Sequence, residues 1–222
     1  SPSRKNERFK YGIKYHSIMV KEKIKPKKSL EEKILEYLIE NTTEKVSILS
    51  LAKNLNVDYK NVYQAILKLE PKLIKKEKVG NVSLIRFSFN FNEKVYSIED
   101  KRRGSFLEKN KDLKLVLEDI KSLNYPFFIV LVFGSYVKKT QTKKSDIDIC
   151  IISDNNEKIK KLISRLELLP INLEIHDFTA EEFESMLKTK EENIGKEVVK
   201  NNILLYGTEN YYNLISKWMK KD

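Results

Sequence analysis

VFGSYVKKTQTKKSDIDICII, residues 132–152, is the stretch on which the rest of this chain turns. It closes the apolar run FFIVLVF (127–133), which has the length and composition of a buried strand. Gly134-Ser135 follow, then ten polar-rich residues, then Asp146-Ile147-Asp148 at the head of a second apolar run. Side chains alternate along a strand, so Asp146 and Asp148 project from one face and Ile147 from the other. Two carboxylates that close repel each other unless a cation lies between them. Magnesium, or manganese in its place, takes one or two carboxylates together with substrate phosphate oxygens. Gly134 has no side chain, which lets a phosphate approach the backbone. Ser135 offers a hydroxyl and an N–H at the start of the following helix, where anions bind. Each piece has a plainer alternative. Gly134-Ser135 can be an ordinary strand-to-helix turn, and Ser145-Asp146 an ordinary turn before a strand.

Together, Gly-Ser, the spacing and both acids resemble the signature of the DNA polymerase beta-like nucleotidyltransferases, over about residues 106–222. The ending NNILLYGTENYYNLI (201–215) is similar to the tail of small prokaryotic members. The resemblance implies transfer of a nucleoside monophosphate from an NTP to a hydroxyl by two-metal catalysis, with ATP the expected donor, although no residue marks a purine pocket. It also implies a third acid on the third strand. In INLEIHDF (171–178) that acid is Glu174, with Asn172 and His176 on the same face by alternation. Many relatives carry it earlier in the strand, where this chain has Asn172, and Glu174 can equally be the polar side of an edge strand. The expected site is thus Asp146, Asp148 and Glu174 as catalytic metal ligands, with Gly134, Ser135, Lys143 and Lys144 around the phosphates. Lys138 and Lys139 flank the same stretch. His176 reads as a packed or surface histidine, and Cys150 as core.

Around these motifs the expected fold class is α+β, a mixed sheet covered by helices. A helix is expected over FLEKNKDLKLVLEDIKSL (106–123), and another over EKIKKLISRLELL after the second strand. Pro170 opens the third strand. TAEEFESMLKTK, KEVVKNNILLYG and TENYYNLISKWMKK read as closing helices.

Residues 29–91 read differently, as three short helices and a hairpin. Ser29 and Glu32 make a capping-box pattern ahead of Ile34, Leu35, Leu38 and Ile39. A second helix follows Ser47, a third follows Asp58, and Gly80-Asn81 turns a hairpin whose second strand sets Val82, Leu84 and Phe87 against Ser83, Ile85 and Arg86. This order resembles a winged helix-turn-helix. On the third helix Tyr59, Lys60, Asn61 and Gln64 are types that reach base edges and phosphates, and Lys75, Lys76 and Lys78 on the hairpin suit a phosphate backbone. The competing reading is a helical adaptor that touches no nucleic acid. Residues 92–105 read as a polar linker, and residues 1–28 as a flexible basic tail.

The net charge of +11 is uneven. The tail holds ten Lys/Arg against two Glu, residues 29–105 hold 14 against 11, and residues 106–222 are balanced at 19 each. An anionic partner, duplex DNA above all, is therefore sought through residues 1–105, although lysine-rich tails also serve as solubilising surface. No apolar run nears the roughly 20 residues of a membrane span. A single cysteine excludes a disulfide framework. The chain reads as cytoplasmic. The acceptor stays open among a protein side chain, an RNA end and a small molecule. The main alternative is a DNA-binding regulator that senses a nucleotide without turning it over; a scaffold built from both parts is another.

Overall fold

The computed structural model describes residues 28–69 and 72–219. Apart from Lys28, the expected basic tail lies outside the described residues, as does Pro71. The first helix, α1 (Leu30–Glu40), opens with the capping box that the sequence pattern predicts. The Glu32 N–H donates to Ser29 Oγ, and the Ser29 N–H to Glu32 Oε2, both at 3.1 Å. Its buried face is Ile34, Leu35, Leu38 and Ile39. A two-residue strand β1 (Val46–Ser47) leads into α2 (Ile48–Leu55), capped by Ser47, and then α3 (Tyr59–Lys68), capped by Asp58. Strands β2 (Ile74–Val79) and β3 (Val82–Phe87) pair through the turn at Gly80, whose φ of 59° favours glycine. β3 lies between β1 and β2 in an antiparallel sheet. The buried residues of β3 are Ile85 and Phe87, so of the expected Val82, Leu84 and Phe87 only Phe87 turns fully inward. Pairing with buried Val46 of β1 is what turns Ile85 to the core.

Residues 92–105 are not a linker. They belong to α4 (Glu93–Lys109), capped by the Asn92 side chain, which accepts from the Val95 N–H at 3.0 Å. Val95, Ile98 and Glu99 are its buried residues in this span. The Glu99 carboxylate is 2% exposed, and three hydrogen bonds tie it and Arg102 into the interior. Arg102 Nη1 donates to Glu99 at 2.6 Å, Tyr212 Oη donates to it at 2.5 Å, and Arg102 Nη2 donates to the Asn202 carbonyl at 2.9 Å. The buried pair is what a charge count reads as solvated surface. The helix expected over 106–123 is also broken. α4 ends at Asn110 and α5 (Leu113–Ser122) starts afresh.

The remaining elements are β4 (Ile129–Val132), α6 (Gly134–Lys138), β5 (Ile147–Ile152), α7 (Asn156–Leu166), β6 (Leu173–Phe178), α8 (Ala180–Lys188), α9 (Ile194–Lys200), β7 (Ile203–Tyr206) and α10 (Thr208–Met219). The sheet order is β6-β5-β4-β7, with β5 and β6 parallel and the other pairs antiparallel. NILLY, read above as the end of a helix, is thus mostly the edge strand β7. Gly207 follows it at φ +75°, and a Cβ there would stand 2.0 Å from the Phe128 carbonyl oxygen. That neighbour is backbone and cannot rotate away. Gly207→Ala is expected to destabilise the protein by about 2 kcal/mol or more, read as a lowered midpoint in urea denaturation.

Alternation along the strands gives the sheet two cores. Val130, Val132, Ile147, Ile149 and Ile151 face α5 and α7. Leu131, Phe133, Cys150 and Ile152 face the other way, into a cluster that continues through α8, α9 and α10 to α1, α3 and β3. The two halves of the chain therefore share one core. Phe87 meets Tyr212 edge-on at 5.8 Å, and Thr42 Oγ1 donates to the Val199 carbonyl at 2.9 Å.

Candidate active site

The site lies where β4 ends and β5 begins, on the face that bears the shared core. Val132 pairs with Ile149, and the next residue, Phe133, donates its N–H to the Asp148 carbonyl at 3.1 Å. This brings Gly134 over Asp148. Gly134 has φ +70°, and a Cβ on it would lie 2.0 Å from Asp148 Oδ2 and 2.8 Å from Cγ. The carboxylate occupies the space that any side chain at 134 would take. The glycine of the Gly-Ser pair is thus required by the acid itself as well as by the turn.

The parallel register of β5 on β6 sets the second carboxylate. Asp148 stands opposite Glu174, and Cys150 opposite His176. Asp148, Glu174 and His176 each offer one ligand atom, and these atoms all lie within 4.8 Å of one another. His176 Nε2 is 3.3 Å from Glu174 Oε1, and its ring leans on Phe133 at 5.6 Å. Burial and the neighbouring Glu174 charge push the Asp148 carboxyl above its ordinary range, against the pull of His176 and a backbone hydrogen bond from Ser135. Carboxylates crowded in this way are what a divalent cation relieves.

Asp146 is exposed and sits one residue before β5, outside this group. Strand alternation still gives it the parity of Asp148. His176, expected to be packed or at the surface, packs on Phe133 and also lies in the group. The signal for it was its place two residues from Glu174 on one strand face. Ser135 is half-buried in the first turn of α6. Lys143 and Lys144 are exposed in the loop before β5, where the Ser145 hydroxyl accepts from the Thr142 N–H at 2.9 Å. Lys138 is held by Glu197 of α9 at 2.5 Å. Cys150 is buried, as expected.

Residues 107–211 match the family described as Polymerase beta, Nucleotidyltransferase. The matched stretch holds Gly134, Ser135, Asp146, Asp148, Glu174 and His176. No curated protein matches the chain. Among solved structures, one described as a toxin-antitoxin crystal structure with AMP-PNP is similar at 22% identity. The alignment covers 47% of this chain and 84% of that one, with a TM-score of 0.32. No helix among the described residues is long and apolar enough to cross a membrane.

The candidate nucleic-acid residues lie on α3 and β2 of the other half. Tyr59, Lys60, Asn61 and Gln64 are all exposed on α3, and the rings of Tyr59 and Tyr63 stack at 6.3 Å. Lys76 and Lys78 are exposed on β2 and Lys75 is half-buried beside Arg86 of β3. Glu77 pairs with Lys45 at 2.5 Å and offsets part of that charge.

Proposed function

We propose that the protein is a metal-dependent nucleotidyltransferase. It moves a nucleoside monophosphate from an NTP, ATP first among them, to a hydroxyl and releases pyrophosphate. The observation that supports this best is the Asp148 carboxylate seated on bare Gly134 and facing Glu174, inside a stretch matched to nucleotidyltransferases. Asp148 and Glu174 would hold Mg2+ or Mn2+, with Asp146 reaching in from the end of its loop. A bound divalent cation would neutralise phosphate oxygens and sharpen the attacking hydroxyl. The chain's own groups bind and orient. Ser135 gives Asp148 a backbone hydrogen bond and would offer its hydroxyl to the phosphates, Lys143 and Lys144 carry charge for the departing phosphates, and Phe133 with Glu174 fixes the ring of His176. The test is incubation of the protein, alone and with cell extract, with each labelled NTP and magnesium. The labelled species names donor and acceptor. Asp146 outside the acid group favours one other reading, a domain that binds nucleotide without turnover. In that case NTP binds with magnesium and no label moves.

For residues 29–91 we propose a winged helix that binds duplex DNA, with α3 in the major groove and the β2–β3 wing on the backbone. The exposed polar face of α3 and the wing lysines support it. Because both halves share a core, the full chain is the object to test. Replacing Lys75, Lys76 and Lys78 with alanine is expected to weaken binding and flatten its salt dependence. The slope should fall by about 0.9 for each phosphate that a lysine no longer neutralises. A salt titration of duplex binding by fluorescence anisotropy checks this. An unchanged slope would leave the adaptor reading in its place.

A further inference from the structure

One cleft among the described residues does not open on the acid group. It measures about 590 Å³ and lies between the end of α1, the second half of α4, the end of α6 and the end of α9. Five cationic side chains line it, Arg102, Lys109, Lys138, Lys139 and Lys200, of which Lys138 is paired with Glu197, and two carboxylates, Glu40 and Glu99, line it as well. Glu99 is already spent on Arg102 and Tyr212. Arg102 is nine-tenths buried, and its Nε–H has no hydrogen-bond partner. The nearest acid oxygen is Glu40 Oε1 at 3.9 Å, on a side chain more than half exposed and able to swing aside. A buried guanidinium donor left over in a basic cleft is what a phosphate oxygen satisfies best. The volume suits one nucleotide unit and is too small for a protein surface.

Two walls of the cleft run to the acid group. α6 starts at Gly134, over Asp148, and ends at Lys138-Lys139 in the cleft. α9 carries Glu197, whose charge bears on Asp148, and ends at Lys200 in the cleft. We propose that this cleft seats the phosphate-bearing acceptor, a nucleotide unit either free or at the end of a polynucleotide strand, with Arg102 as its phosphate anchor. The word acceptor rests on the transferase reading; the phosphate site does not.

The test is calorimetric binding of AMP and of a short 5′-phosphorylated oligonucleotide to the intact chain without divalent cation, with adenosine as control. Arg102→Gln is expected to weaken binding about tenfold, the worth of one charge-assisted hydrogen bond. Should that variant fold poorly, the double replacement of exposed Lys109 and Lys139 by alanine is expected to weaken binding to a similar degree. AMP binding by itself assigns a free nucleotide, and binding of the oligonucleotide alone assigns a strand end. The proposal is overturned if neither probe binds, if adenosine binds as tightly as AMP, or if Asp148→Asn abolishes binding that the cleft variants leave intact. Phosphate binding with no label transfer from any NTP would instead sink the transferase reading and leave the cleft assignment standing.

Discussion

Asp148→Asn is expected to lower nucleotidyl transfer by on the order of a thousandfold while leaving the protein folded, since one preorganised charge at the reacting phosphate is worth about that much. The side chain keeps its shape, so its seat on Gly134 survives. What it loses is the charge that faces Glu174. Burial and Glu174 already make the ionised form unfavourable in the metal-free protein. Removing the charge should therefore be neutral or stabilising without divalent cation, and the stabilisation that cation and NTP add to the native state should disappear. Thermal unfolding with and without Mg2+ and NTP, run beside the labelling assay, separates these effects. If Asp148→Asn transfers label as well as the intact protein, the acid group is not the centre of the chemistry. Asp146→Asn is the informative companion. Asp146 lies outside the group, so a loss as large as that at position 148 would mean that ligand binding draws the loop end inward.

How much of this was legible follows from what each signal depends on. The Gly-Ser turn and the acid-headed strand are local patterns, and they survive into the structure. The identity of the third acid is not local. It depends on the parallel register that sets Ile147 against Leu173, and hence Asp148 against Glu174 and not Asn172. No pattern within either strand states that offset, and the same register brings in His176. The exclusion of Asp146 turns on β5 starting one residue later. α4 was hidden for a different reason. Glu99 and Arg102 neutralise each other in the interior, so composition reports a solvated segment where a helix buries an ion pair. β7 was hidden by its length, because four apolar residues look alike in a helix and in an edge strand. The shared core could not be read at all, since Tyr212 meets Phe87 and Glu99 only through the tertiary fold.

Gly134→Ala should abolish transfer as completely as loss of the acid, without touching any charge. Two costs arise at once. A non-glycine residue at φ +70° is strained by about 1–3 kcal/mol. Its Cβ would also come within 2.0 Å of Asp148 Oδ2, a separation that no real methyl group tolerates. The cheaper escape is for Asp148 to rotate away, since its side chain can move and the β4–β5 ladder cannot. Rotation takes the carboxylate off the backbone and out of the group with Glu174 and His176. The expected variant is therefore folded, modestly destabilised, and inactive, with weaker divalent-dependent NTP binding. Calorimetry of NTP with Mg2+ against the urea midpoint tells the two costs apart. Near-complete loss of binding with a midpoint shift worth no more than about 3 kcal/mol is the outcome expected. Full activity in Gly134→Ala would mean that Asp148 does its work from a position other than the one it holds against Gly134.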